Sequence, residues 1–209
     1  MRQAGTPAPR ARQPAQARSQ ERVDAALAAA EQLVAAAGPE QASIPEIAKA
    51  AGIPRASLYQ FFPDKYALLA RLAERHLAAV VERIDVACAR HANDDVERLC
   101  RALVDAASDY YDSHPVAGML VLGGPWSPSA YRAQEVTVAR IGDAVRRTLA
   151  ERGLTLPRRP DVATLMVEMA FACMKHGYFS EGRITAAVRR EAVRAQVAYF
   201  AALLDAGGR

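Results

Sequence analysis

The stretch of sequence that decides the fold is IPEIAKAAGIPRASLYQFFPDK, residues 44–65. Gly52 and Pro54 interrupt an alanine-rich helical pattern within it, and the apolar segment after Pro54 is short. Glycine adopts the left-handed backbone angles of a tight turn without steric cost, and proline fixes a helical angle at the start of a helix. The stretch therefore predicts two short helices joined by a tight turn.

The residues of this helix pair meet the steric demands of a helix-turn-helix. Ala48 is small where the two helices come close together, and the required apolar positions hold Ile47, Ile53, Leu58 and Phe61. A helical hairpin without a binding role does not need all of these residues together. We therefore predict that the pair binds DNA rather than only supporting the fold.

Helical periodicity continues on both sides of the pair. Apolar residues recur at helical spacing over 23–37, which predicts a first helix that begins near Ser19 and ends before Gly38. Ser43 and Glu46 have the spacing of a capping box, in which the hydroxyl and the carboxylate both bond to backbone amides at the start of the second helix. Further amphipathic segments follow at about 64–81, 95–113, 131–152, 161–178 and 184–204. No alternating strand pattern occurs, so we predict an all-α fold.

The first 17 residues differ from the rest in composition. They hold three prolines and no aliphatic residue larger than alanine after Met1, which predicts a disordered tail over 1–17. The only charged residues before Glu21 are Arg2, Arg10, Arg12 and Arg18. They account for the net charge of +4, because the other 23 of the 27 basic residues equal the 23 acidic residues in number. Such a basic tail either contacts phosphates or only improves solubility.

The cysteines and the uncharged segments restrict the compartment. Cys88, Cys100 and Cys173 form no CxxC pair, so we expect free thiols in a reducing cytoplasm. The longest uncharged stretch, residues 115–131, is interrupted by glycine and proline and could not satisfy its own backbone in lipid. We predict a cytoplasmic protein without a membrane span.

Two Cys-x-x-His pairs leave a metal site open as an alternative. Cys88 with His91, and Cys173 with His176, each place two zinc-binding side chains one helical turn apart. The four side chains could hold zinc if their helices met, which would make the protein a metal-responsive regulator. We assign no metal ligand and no cofactor on this evidence.

The extended stretch IPEIAKAAGIPRASLYQFFPDKYALL resembles the N-terminal DNA-binding domain of the TetR family of transcriptional regulators, with its IA, AG, LY, F-x-x-K and LL in register. The resemblance covers residues 19–70. It implies a homodimeric repressor that binds a palindromic double-stranded DNA operator and releases it when a small-molecule effector binds. The domains it implies are a helix-turn-helix domain at 18–66 and a helical effector-binding and dimerisation domain at 67–209, after the tail at 1–17.

The resemblance also assigns DNA contacts. Phosphate contacts are implied for Ser43, Tyr59 and Lys65, and groove-facing positions for Arg55, Ala56, Ser57 and Gln60. Arg55 could donate two hydrogen bonds to guanine O6 and N7. The Tyr59 hydroxyl and the Lys65 ammonium would instead bind charged phosphates, whatever the base sequence.

Aromatic and flexible side chains concentrate in residues 103–131, around glycine and proline breaks. Such groups either line an adaptable pocket or form ordinary core between irregular helices, and we favour a pocket because the family implies one there. In residues 162–178, Glu168 lies within an apolar face and needs a partner: an arginine across a dimer interface, a buried hydroxyl, or a cationic ligand. The predicted ligand-binding residues are Tyr110, His114, Met119, Trp126, Glu168 and Phe171.

The last predicted helix carries small residues that permit close packing, so we expect it to form an intersubunit four-helix bundle together with the helix before it. The sequence contains no glycine-rich phosphate loop, no HExxH and no nucleophile elbow, so we predict that the protein is not an enzyme. An all-helical enzyme or partner-binding protein is the alternative.

Overall fold

The computed structural model describes residues 15–124 and 127–207. Over these residues the chain forms nine α-helices and no β-strand, which confirms the predicted all-α fold. Their bounds are α1 Ala15–Ala37, α2 Ile44–Ala51, α3 Arg55–Phe61, α4 Lys65–Arg90, α5 Val96–Ser113, α6 Pro115–Ala117, α7 Pro128–Ala150, α8 Val162–Glu181 and α9 Ala186–Gly207. A π-helical turn, Gly118–Leu122, follows α6 directly.

The first helix is longer than the sequence pattern indicated. It begins at Ala15 rather than near Ser19, so residues 15–17 are helical and not part of a tail. The remainder of the predicted tail, residues 1–14, lies outside the described residues.

Local caps define the short helices near the N-terminus. The Ser43 hydroxyl accepts a hydrogen bond from the Glu46 backbone N–H at 3.4 Å and donates one to Glu46 Oε2 at 2.7 Å. The predicted capping box required the Glu46 carboxylate to bond to a backbone amide. In the structure the carboxylate instead accepts a hydrogen bond from the Ser43 hydroxyl. Gly52 ends α2 with φ of 65°, a left-handed angle that favours glycine. Asp64 caps α4 by accepting the Ala67 N–H at 2.8 Å.

Helices α1 to α3 pack around a small apolar core. Ile47, Ala48 and Leu58 of the helix pair are fully buried, together with Val34 of α1 and Phe62 after α3. Full burial of Ala48 fits the requirement for a small residue where two helices approach. This core fixes the orientation of α3.

The remaining helices form a larger bundle, and α4 belongs to both parts. It begins at Lys65 beside the helix pair and continues to Arg90, so it crosses the boundary predicted near residue 66. Helix α7 packs on α4 and α8, and α9 packs on α5 and α8. None of the helices in the described ranges is both long and apolar enough to cross a bilayer.

Candidate DNA-binding surface and interior cavity

Helix α3 has one buried face and one exposed polar face. Leu58 is fully buried, whereas Arg55, Ala56, Tyr59 and Gln60 are exposed, with 47% of Tyr59 accessible. Within the described part of the chain, no hydrogen bond or ion pair engages the Arg55 or Gln60 side chain. Their donors and acceptors are therefore directed to solvent, where a polar partner could reach them. The fifth predicted contact on this helix, Ser57, is half-buried.

Lys65 and Ser43, the two predicted DNA contacts outside α3, form hydrogen bonds within the protein. Lys65 Nζ donates to the backbone carbonyl of Glu40 at 2.9 Å and lies 5.4 Å from the centroid of the Tyr66 ring. The Ser43 hydroxyl is shared with Glu46 at the start of α2. Lys65 keeps further N–H donors, since an ammonium carries three. The assignment of both residues to phosphates stays a prediction.

A cavity lies inside the larger bundle, between α4, α5, α7, α8 and α9. Its volume is about 60 Å³. Among the described residues, no charged side chain lines it, and most of the lining is aliphatic. The polar or polarisable lining residues are Cys100, Tyr111, Gln134, Thr137, Met166, Met174 and Gln196. Burial raises the pKa of the Cys100 thiol to about 12 and also raises the pKa of Tyr111, so both groups are neutral near pH 7.

Of the predicted ligand-binding residues, Phe171 lines this cavity. Tyr110 and His114 lie in a separate polar cluster, and Met119 is half-buried in the π-helical turn. Trp126 lies outside the described residues. The ligand-binding role of these residues stays a prediction.

Glu168 is half-buried on α8 and does not line the cavity. Burial raises its pKa, the charge of Glu135 adds to the rise, and Lys175 opposes it. Within the described ranges, Glu168 forms no hydrogen bond and no ion pair. No hydroxyl of the described residues therefore bonds to Glu168, and an arginine across a dimer interface or a cationic ligand stays a prediction.

Sequence reasoning missed the two glutamines of the cavity. Gln196 is buried on α9 between Ala192 and Phe200, both also buried, so it interrupts an apolar stripe of four-residue spacing. Gln134 likewise interrupts an apolar stripe on α7, where Ala130 and Val138, one turn before and after it, are buried. A glutamine inside an apolar stripe was the signal that could have identified them.

A buried polar cluster connects α1, α4 and α5. His76 of α4 is 3% exposed, and its Nδ1 lies 2.8 Å from Tyr110 Oη of α5. His76 Nε2 lies 3.4 Å from Glu31 Oε1 of α1, and Glu31 also pairs with Arg75. The His114 ring stacks on Tyr110 with centroids 4.1 Å apart. Burial is the main cause of a lowered pKa for His76, with Glu31 opposing it.

The Cys-x-x-His pairs do not come together as the alternative required. Within the described residues, no group of three or more His, Cys, Asp or Glu side chains could hold a metal ion. Cys88 is buried in the bundle, and His91 Nδ1 lies 2.7 Å from Asp94 Oδ2 at the end of α4. Among the described residues, the two Cys-x-x-His pairs therefore do not form a common zinc site.

Comparison with known proteins agrees with the N-terminal geometry. Residues 26–72 match the family model described as bacterial regulatory proteins, tetR family. No curated protein sequence matches the chain. The match spans α2, α3 and parts of the helices on either side, which together carry the exposed polar face.

Solved structures with the same fold extend over most of the chain. A tetR-family transcriptional regulator from Streptomyces coelicolor has a TM-score of 0.67 at 22% identity, covering 88% of this chain and 82% of that one. The fatty acid degradation regulator FadR from Bacillus halodurans has a TM-score of 0.58 at 19% identity, covering 82% and 94%. The SmeT–triclosan complex has a TM-score of 0.57 at 18% identity, covering 85% and 90%.

The fold and the exposed helix define a helix-turn-helix DNA-binding transcriptional regulator. Residues 26–72 form a DNA-binding unit of the tetR family, and the whole chain shares its fold with TetR-family regulators.

Proposed function

We propose that the protein is a homodimeric repressor that binds a palindromic operator through α3 and leaves it when a small molecule occupies the interior cavity. The observation that carries this proposal is the two-sided α3: fully buried Leu58 anchors the helix, and exposed Arg55 and Gln60 are left unengaged by other described residues. A rigidly held helix with free polar groups suits the major groove.

The residues of this surface would have two roles, recognition of the base sequence and positioning of α3 on the duplex. Arg55, Ala56, Ser57 and Gln60 would face base edges, and Ser43, Tyr59 and Lys65 would contact phosphates. Arg55 stands at the first position of α3, so its side chain reaches beyond the helix start. Phosphate contacts would fix the register of the helix on the duplex, and base contacts would supply specificity.

An exposed apolar face on α8 supports the homodimer. Leu165 and Phe179 are 38% and 69% exposed, and they lie about four helical turns apart on one side of the helix. Ala172 lies between them and is also exposed. A two-fold axis beside α8 and α9 would bury this face against its copy and form the four-helix bundle.

Substituting the most exposed residue of this face tests the dimer. Phe179→Asp should convert the protein from dimer to monomer at micromolar concentration, because a carboxylate would be buried at the interface. Val86→Asp is the matched control, since Val86 is 51% exposed on α4, which packs mainly on α5 and α7. Light scattering coupled to size exclusion reads the mass. A monomeric wild type, or a dimeric Phe179→Asp protein, would remove α8 from the interface.

The cavity and the DNA-binding unit are joined by contiguous side chains. Tyr111 lines the cavity, and its neighbour Tyr110 bonds to His76, which lies against Glu31 of α1. A molecule that displaces Tyr111 would thereby also act on the contact between α4 and α1. A change in the angle of α1 to α3 relative to the bundle would alter the spacing of two recognition helices in a dimer.

Unbiased selection from random duplex DNA by the purified full-length protein is the deciding experiment. We expect enrichment of a two-fold symmetric site, with affinity that falls steeply as salt rises, because phosphate contacts release counterions. Deletion of the gene in the source cell should then raise transcription from promoters that contain the site. Failure to enrich any sequence would reject DNA-dependent regulation, and lowered transcription in the deletion would reject repression.

A further inference from the structure

The lining of the interior cavity extends along most of α5. It reaches from Val96 to Tyr111, a helical rise of about 22 Å. The volume of the cavity is nevertheless only about 60 Å³. A space of this length and volume favours an unbranched molecule over a bulky one. Met166 and Met174 in its wall are flexible and can adjust to a chain that enters.

The lining also selects against charge. No Asp, Glu, Lys, Arg or His side chain among the described residues lines the cavity. Transferring an ion from water into such a site without a partner is costly, so a charged ligand would lose more hydration than the cavity returns. The occupant that fits is neutral and largely aliphatic.

One polar atom in the wall lacks a partner. Gln196 is 5% exposed, and its Nε2 donates to the backbone carbonyl of Met166 at 2.9 Å. A carbonyl oxygen only accepts, so this bond fixes which end of the amide faces Met166. Gln196 Oε1 is buried and accepts no hydrogen bond from any described residue. A buried acceptor without a donor is destabilising, and a ligand hydroxyl would satisfy it.

We propose that the cavity binds a neutral, unbranched aliphatic alcohol whose hydroxyl donates to Gln196 Oε1. The inference rests on the proposed function for the idea that the cavity holds an effector, and it adds the chemical class of that effector. The aliphatic part of the molecule would lie along α5 and α7, where most of the lining is aliphatic.

Three isomeric probes of identical composition test the proposal on the full-length protein by isothermal titration calorimetry. The probes are n-hexanol, methyl pentyl ether, which lacks the donor, and pinacolyl alcohol, which keeps the hydroxyl but is branched. Hexanoate tests charge. We expect n-hexanol to bind about 5–10-fold more tightly than the ether, the ratio that one hydrogen bond to a buried acceptor supplies. Pinacolyl alcohol and hexanoate should bind more weakly still.

The variant Gln196→Leu removes the acceptor and keeps an apolar side chain of similar size. It should bind n-hexanol and methyl pentyl ether with equal affinity, and its affinity for the ether should match that of the wild type. The comparison of isomers on the wild type stands without the variant, should the variant fail to fold. Equal wild-type binding of alcohol and ether, tighter binding of hexanoate or pinacolyl alcohol, or no binding of any probe would overturn the proposal.

Release of the selected operator is measured separately with the same probes. Tighter binding of n-hexanol without operator release would support the alcohol site and contradict its role as an effector site. Operator release by molecules that bind without regard to Gln196 would support the regulator and contradict the alcohol site. The two failures are thus distinguishable.

Discussion

At the scale of single residues, α3 separates stability from recognition. Leu58 is fully buried, while Arg55 and Gln60 are exposed on the same seven-residue helix. Truncation of a buried leucine removes packing and leaves a cavity, whereas truncation of an exposed arginine changes little in the folded chain. Substitutions on the exposed face therefore report on DNA binding without the complication of unfolding.

Arg55→Ala should separate base reading from phosphate binding. If Arg55 contacts a base edge, the variant should lose about 1–3 kcal/mol of binding free energy on the best site and tolerate more bases at one position of each half-site. Competition binding against single-base operator variants measures both effects. Unchanged thermal unfolding would show that the fold is intact.

Lys65→Ala is the comparison for this experiment. Loss of a phosphate contact should weaken binding to all sequences alike and reduce the slope of log affinity against log salt by about one unit. Lys65 also donates to the Glu40 carbonyl, so unfolding of this variant must be followed in parallel. Identical base preferences for wild type and Arg55→Ala would assign base reading to Ser57 or Gln60 instead.

At the scale of helices, two glycines set how closely neighbours approach. A Cβ atom at Gly142 of α7 would lie 2.5 Å from Thr164 Oγ1, 2.9 Å from Thr164 N and 3.0 Å from Thr164 Cα. A Cβ atom at Gly177 of α8 would lie 2.9 Å and 3.0 Å from the two γ-methyl groups of Val188. The first contact involves both the side chain and the backbone of Thr164, whereas the second involves only the side chain of Val188.

Gly142→Ala should lower the free energy of unfolding by about 1–3 kcal/mol, because the backbone of α8 must move away from α7. Adding Thr164→Ala should not restore stability, since the backbone nitrogen and Cα remain too close. Gly177→Ala is the matched substitution, and there Val188→Ala should restore part of the loss. Urea unfolding of the four variants measures this. Full rescue by Thr164→Ala would show that the side chain alone limits the approach.

At the scale of the whole molecule, His76 connects the DNA-binding unit to the bundle. It lies between Glu31 of α1 and Tyr110 of α5 and is almost fully buried. Burial lowers its pKa, Arg75 and His114 act in the same direction, and Glu31 opposes them. The folded protein therefore binds a proton at His76 less readily than the unfolded chain does.

This difference predicts a dependence of stability on pH. As pH falls below the ordinary histidine value of about 6.5, the unfolded state takes up the proton first, so the free energy of unfolding should decrease. The decrease should be smaller in His76→Gln. Urea unfolding between about pH 7.5 and 5.5 measures the slope. An equal slope in wild type and His76→Gln would exclude His76 as its source.

Local chemistry made much of this fold predictable. Gly52, Pro54 and Asp64 define helix ends through backbone angles and caps that involve only a few neighbouring residues. The helix-turn-helix and its exposed face follow from such short-range rules, so they could be predicted from one segment. The start of α1 could not, because alanine and glutamine before Ser19 suit both a helix and an irregular segment.

The interior of the bundle depended on packing between distant helices. Periodicity shows that Tyr110 and Tyr111 lie on a helix, but only the positions of α4 and α7 decide that Tyr111 faces the cavity and Tyr110 faces His76. The sequence by itself determined most of the helical elements and the exposed polar face of α3, since caps, turns and apolar spacing act over a few residues. The tertiary structure alone decided the lining of the cavity and the burial of Gln196 Oε1 without a partner among the described residues, because both depend on five helices that are separated in the chain.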